Sequence, residues 1–152
     1  MAKFHYPFQK ILDLKENEKE FAQIQMAEAI KQQEASLQKN QVIYEKIVEA
    51  ETLIKQKQQE GINIFELRML EDYLIQLKEQ LIFAQRELKQ MESHVVRTQS
   101  DLRVKVQEEK TWINIKNQKQ SQFDEQVRLS EQSFFDEMAT TRFYRVISAE
   151  RG

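Results

Sequence analysis

The apolar positions between Leu67 and Leu102 form a ladder: Leu67, Leu70, Leu74, Leu77, Leu81, Ala84, Leu88, Met91, Val95 and Leu102. The steps alternate three and four, and the one slot not filled by an apolar residue holds Thr98. That is a heptad seam with Leu67 at position a and Leu70 at position d. A long helix with so narrow an apolar stripe is not stable alone in water and needs a second helix laid along it. The first third of the chain supplies one. Nothing from Phe8 to Glu60 breaks a helix, and Pro7 suits a first turn. Gly61 suits the left-handed residue that closes a helix, and Asn63, with Glu66 three residues on, suits the cap of the next. The pattern predicts an all-α fold, a long antiparallel two-helix coiled coil. One helical hairpin spans 1–152, with helix 1 at about 8–59, a hinge at about 60–63 and helix 2 at about 64–145, fraying past Arg142.

A reversal near Glu60–Gly61 fixes a register. It sets Ile54 opposite Leu67, Ile47 opposite Leu74, Tyr44 opposite Leu77, Leu37 opposite Ala84, Ile30 opposite Met91 and Met26 opposite Val95. Glu51, Asn40, Gln33 and Gln23 fill the remaining slots, and such polar seam residues lower stability while fixing register. At about 1.5 Å per residue the first helix is roughly 75 Å long, and the second overruns it by some 20 to 30 residues. Past Leu102 the pattern shifts to Val106, Ile113 and Val127, a step that resembles a stutter. Trp112 is expected near Phe8 and Ile11. The end carrying both termini is aromatic, with Phe4, Tyr6, Phe8, Trp112 and Phe123.

Composition narrows the function. Two glycines, one proline and 32% charged residues fit nearly all-helical structure. The formal net charge of −2, with both signs interspersed, argues against a nucleic-acid or membrane-surface binder. The lack of cysteine excludes disulfides. Met1 to Pro7 lacks the apolar core of a secretory leader, and no apolar run approaches the roughly 20 residues that span a bilayer, so a cytoplasmic location is expected. No catalytic constellation is visible. His5 and His94 are far apart with no second ligand at a metal spacing, and there is no Gly-rich phosphate loop. No enzyme activity, cofactor or metal is expected.

What remains is apolar surface outside the seam. Ile75, Ile82 and Phe83 lie off the a and d positions, Tyr73, Ile43 and Val48 flank them, and Val42 points further away. A broadened core stripe, a self-association face and a partner-docking patch all fit such a cluster. The overrun of the second helix carries Phe123, Val127, Phe134, Phe135 and Met138, with no obvious mates in the chain.

The stretch Phe8-Gln9-Lys10-Ile11-Leu12-Asp13-Leu14-Lys15-Glu16-Asn17-Glu18-Lys19-Glu20 resembles the opening of the flagellar export FliJ family. So do the glycine hinge followed by Leu70, Tyr73-Leu74 and Leu77, and Asp136-Glu137-Met138-Ala139 with Arg142. The resemblance covers almost the whole chain. It implies a component of the bacterial flagellar type III export apparatus, similar to the central stalk of rotary F- and V-type ATPases. Such a protein is cytoplasmic, associated only peripherally with the membrane through the export apparatus. It binds the hexameric export ATPase FliI, couples it to the export gate protein FlhA and handles export chaperones. Carried over by position, the gate-binding surface matches Tyr73, Leu77, Gln80 and Ala84. Gln80 and Ala84 are not typical occupants, and the register puts Leu77 and Ala84 in the seam. Either these two are only partly buried or Ile75 and Ile82 share the contact. The ATPase-binding end falls at Phe4, Phe8 and Leu12 and at Phe134, Phe135, Met138 and Arg142. A coiled-coil scaffold or spacer, and a holdase-like chaperone-binding module without a motor partner, are the alternatives.

Overall fold

The computed structural model describes residues 3–151. They form two helices, α1 (Gln9–Glu60) and α2 (Ile64–Arg151), packed against each other as a helical hairpin. There is no strand among the described residues. The helices start and stop where local chemistry directs. Gly61, at φ +90°, is in the left-handed region that ends α1. Asn63 Oδ1 accepts the Phe65 amide at 3.0 Å, and the Asn63 carbonyl accepts the Leu67 amide at 3.0 Å, so Asn63 caps α2. Pro7 sits one step earlier than the pattern suggests. It lies in a turn closed by the Gln9 amide on the Tyr6 carbonyl at 3.2 Å, just ahead of α1. At the other end α2 is helical as far as Arg151, and no glycine or proline interrupts it.

A Cβ at position 61 would meet nothing within 4 Å, so the glycine is needed for its φ and not for space. Gly61→Ala is therefore expected to cost about 1 kcal/mol, a fall in melting temperature of about 2–4 °C, with helical content unchanged. A melt followed by circular dichroism checks this.

Two compact units make up the chain, Glu18–Lys105, and Met1–Asn17 with Val106–Gly152. In the first, α2 presents the expected ladder: Leu77, Ala84 and Thr98 are buried, and Leu67, Leu70, Leu74, Leu81, Leu88, Met91, Val95 and Leu102 are half-buried. The α1 side differs from expectation. Its inward positions are Ala22, Met26, Ala29, Gln33, Ser36, Asn40, Ile43, Ile47, Ala50 and Ile54, an unbroken alternation of four and three. Leu37 and Tyr44, expected in the seam, are 56% and 59% exposed. Ile43, expected on the flank, is buried.

One hydrogen bond fixes the register. Asn40 Nδ2 donates to the Ala84 carbonyl across the pair, at 2.9 Å, and to the Ser36 carbonyl on its own helix, also at 2.9 Å. Asn40, not Leu37, thus faces Ala84, a displacement of three residues. The cause lies in the connection. With α1 ending at Glu60 and α2 starting at Ile64, the chain folds about Ile62 instead of between Glu60 and Gly61. Continued from Asn40, this pairing brings Ile43 to Leu81, Ile47 to Leu77 and Ala50 to Leu74, the residues that form the hydrophobic core. Small residues at Ala22, Ala29, Ser36, Ala50 and Ala84 let the helices approach closely.

Candidate functional site

In the Glu18–Lys105 unit two ion pairs mark the two flanks of the helix pair. Lys78 Nζ lies 3.7 Å from Glu51 Oε1, and Lys39 Nζ lies 3.3 Å from Glu87 Oε2. All four groups are largely solvated, so each pair adds at most about 1 kcal/mol. Their use here is as landmarks. Tyr44 and Leu37 precede Glu51 by one and two heptads, and Val48 precedes it by one turn. Ile75 and Ile82 lie one turn before and after Lys78. These five exposed apolar residues therefore share the Lys78–Glu51 flank. Gln80 and Tyr73 precede Glu87 by one and two heptads and lie on the opposite flank, with Phe83 one turn before Glu87 and Val42 one turn after Lys39, both also exposed.

The residues carried over as gate-binding are thus divided. Tyr73 and Gln80 are exposed on one flank, and Ile75 and Ile82 on the other. Between them Leu77 and Ala84, at 3% and 2% exposure, are buried against α1 and offer no surface to a partner. Partial burial of these two is not what the structure shows. Leu37 and Tyr44 are surface residues that the sequence pattern assigned to the seam. The signal that identifies them as outward is the competing ladder of small residues, Ala22, Ala29, Ser36 and Ala50, one position earlier.

The second surface is in the unit made of the N-terminal segment and Val106–Gly152. Here the residues before α1 form a strap on α2. Phe4 packs on Phe123 with ring centroids 5.5 Å apart, and Phe8 on Trp112 at 6.1 Å. Tyr6 lies between, 6.3 Å from Phe4 and 5.9 Å from Phe8, and is itself buried. Phe8 meets Trp112 as expected. Phe123 does have a mate in the chain, contrary to expectation, because the extended strap reaches beyond the start of α1. Leu12 is buried and Phe4 half-buried, which leaves Phe8 as the exposed member of that expected set. Lys15 Nζ contacts Glu108 Oε2 at 3.3 Å further along the same unit.

From Arg128 to Val146 every residue of the helix is exposed. Phe134, Phe135, Met138 and Arg142 are all exposed, as are Phe143, Tyr144 and Val146. Phe135, Met138, Ala139, Arg142, Phe143 and Val146 line one shallow concavity, and Phe134, Glu137 and Arg145 lie around Met138 and Arg142 on the adjoining face. One local ion pair lies at the segment's start. Arg128 Nη2 contacts Glu125 Oε1 at 2.6 Å, and its hydrogen bond and charge hold that carboxyl below the usual range.

Among the described residues no group of three or more His, Asp or Glu is placed to hold a metal ion, and no helix is long and apolar enough to cross a membrane.

A family model described as flagellar FliJ protein matches residues 4–148, from the strap through both helices. The chain belongs to the FliJ family. Membership implies a component of the flagellar export apparatus. The match takes in both surfaces described above, the Lys78–Glu51 flank and the exposed tail of α2. No curated protein and no solved structure is significantly similar to the chain.

Proposed function

We propose that this protein is a non-enzymatic coupling stalk of the flagellar type III export apparatus, joining the hexameric export ATPase FliI to the export gate protein FlhA. The observation that carries this reading is the FliJ match over 4–148, in a chain whose helical hairpin leaves two separate apolar surfaces open. A stalk needs one contact for the motor and one for the gate, and no catalytic group of its own. The gate contact is the flank bearing Leu37, Tyr44, Val48, Ile75 and Ile82. The motor contact is the tail with Phe134, Phe135, Met138 and Arg142, together with Phe8 at the strap. The protein works in the cytoplasm, meets the membrane only through the export apparatus, and receives export chaperones.

Binding to immobilised gate protein tests the gate contact. Ile75→Asp with Ile82→Asp, or Tyr44→Asp, is expected to weaken binding more than tenfold, or about 1.4 kcal/mol. Helical content should hold, since these side chains are outside the seam. Tyr73→Asp and Gln80→Lys should change it little. The opposite ranking would move the gate to the Lys39–Glu87 flank, and no effect from either set would remove the gate contact from this hairpin.

A further inference from the structure

We infer that the Glu18–Lys105 hairpin has two registers, the one observed and a second in which α1 is displaced by three residues and turned to bring Leu37 and Tyr44 into the seam. The motivating observation is that α1 carries two overlapping ladders at heptad spacing, each with polar members, of which the second holds the larger apolar side chains Ile30, Leu37 and Tyr44. Both contain Met26, Gln33, Asn40, Ile47 and Ile54. They differ at the alternate layers. The observed seam uses Ala22, Ala29, Ser36, Ile43 and Ala50, and the second would use Gln23, Ile30, Leu37, Tyr44 and Glu51, each one residue later. The α2 ladder serves both unchanged. In the second register Tyr44 meets Leu77 and Leu37 meets Ala84, two large side chains that the observed register leaves exposed.

Two seam groups select the observed register, supported by the Lys105–Glu18 and Lys15–Glu108 ion pairs, which a displacement of the continuous helix α1 would break. Asn40 reaches the Ala84 carbonyl, and would face Leu81 after the displacement. A single polar seam residue is a recognised means of choosing between coiled-coil alignments. Glu51 is solvated beside Lys78, and would be driven against Leu70. Burying an unpaired carboxylate is costly. Against these stands the apolar area of Leu37 and Tyr44, which burial would remove from water. The two states thus differ in the alternate seam layers of α1 and in the ion pairs along it, discrete contacts whose balance a ligand can bias. The connection can follow. Gly61 already holds a conformation open to glycine, and moving the fold point from Ile62 back toward Gly61 takes up the displacement.

One consequence rests on the gate reading above: a partner that grips Leu37 and Tyr44 binds only the observed register and stabilises it. The registers themselves do not depend on that reading, and the test uses no partner.

The chain has no cysteine, so introduced pairs report cleanly. Ser36→Cys with Leu88→Cys joins layers of the observed register. Leu37→Cys with Ala84→Cys joins layers of the second. In the observed register Leu37 is about 4.5 Å along the axis from the layer of Ala84 and on the flank, beyond the roughly 7 Å Cα separation that a disulfide spans. Gln38→Cys with Ala84→Cys faces in neither register and sets the background. Intrachain crosslinking is followed on non-reducing gels in the otherwise unchanged chain, in Glu51→Leu and in Asn40→Leu. Leu37/Ala84 is expected to crosslink above background, and Glu51→Leu and Asn40→Leu each to raise that rate severalfold relative to Ser36/Leu88. Both substitutions place leucine in or beside the seam, and helical content by circular dichroism is expected to be kept. If the Leu37/Ala84 pair stays at the Gln38/Ala84 background in both variants, the second register does not exist.

Discussion

Truncation after Ser130 is expected to abolish stimulation of the export ATPase while leaving the hairpin folded. The tail is the part of α2 on which α1 lays no side chain, and the described contacts of the strap end at Phe123. Its loss therefore removes no core. What it removes is Phe134, Phe135, Met138 and Arg142 with Phe143 and Val146, an exposed apolar surface edged by charges of both signs. Buried aromatics and arginines dominate the energetics of interfaces, and each contributes about 2 kcal/mol or more when it fills a pocket. A single helix enters a narrow central opening further than a helix pair can. On the stalk reading, stimulation is expected to act through assembly. A ligand that binds the ring better than free subunits shifts the equilibrium by that difference in affinity. Raising the ATPase concentration should then partly bypass the truncation. In the intact chain, Phe135→Glu with Met138→Glu should reproduce most of the loss. A truncated protein that stimulates fully near the assembly threshold would place the motor contact elsewhere in the chain.

The parts of this structure that were legible in the sequence are those governed by large apolar residues and by backbone chemistry. The α2 ladder from Leu67 to Leu102 is inward throughout, because leucines at heptad spacing have no competing arrangement on that helix. The closing glycine and the Asn63 cap are local features, and both are where the sequence puts them. On α1 the pattern was ambiguous in a definite way. Hydrophobicity ranks Leu37 and Tyr44 above Ser36 and alanine, yet a close-packed pair of helices accepts small residues at the contact. A loop centred on Ile62 then decides for Ser36 and Ala50. The same ambiguity bears on the surface: Leu77 and Ala84, which the resemblance assigns to the gate contact, are buried, while Leu37 and Tyr44, which the pattern assigns to the seam, are exposed. The strap was legible in part: the sequence groups its aromatics at one end and sets Phe8 near Trp112, as observed. Residues 3–8 carry no periodicity, so the contact of Phe4 with Phe123 comes from the structure alone.

Leu77 separates the two ways in which a substitution on α2 can lower gate binding. It is 3% exposed and belongs to the core with Ile43, Ile47, Ala50 and Ala84. Leu77→Ala leaves a cavity there and is expected to destabilise the chain by about 2–5 kcal/mol. At roughly 2–4 °C of melting temperature for each kcal/mol, that is the largest single stability effect expected outside a buried charge. Leu77→Asp goes further, since its carboxylate would be buried against Ile47 and Ile43. Its hairpin is expected to be largely unfolded at 37 °C, with a broad, early melt. Both variants should lose gate binding only in proportion to the folded fraction. At 10 °C, where Leu77→Ala is folded, its affinity should return to nearly that of the unchanged chain. Ile82→Asp, on the open flank, should behave oppositely, with an unchanged melt and an affinity that cooling does not rescue. A Leu77→Ala protein that is folded by circular dichroism and still fails to bind would mean that the seam opens on contact with the gate. The core residues would then be part of the docking surface after all.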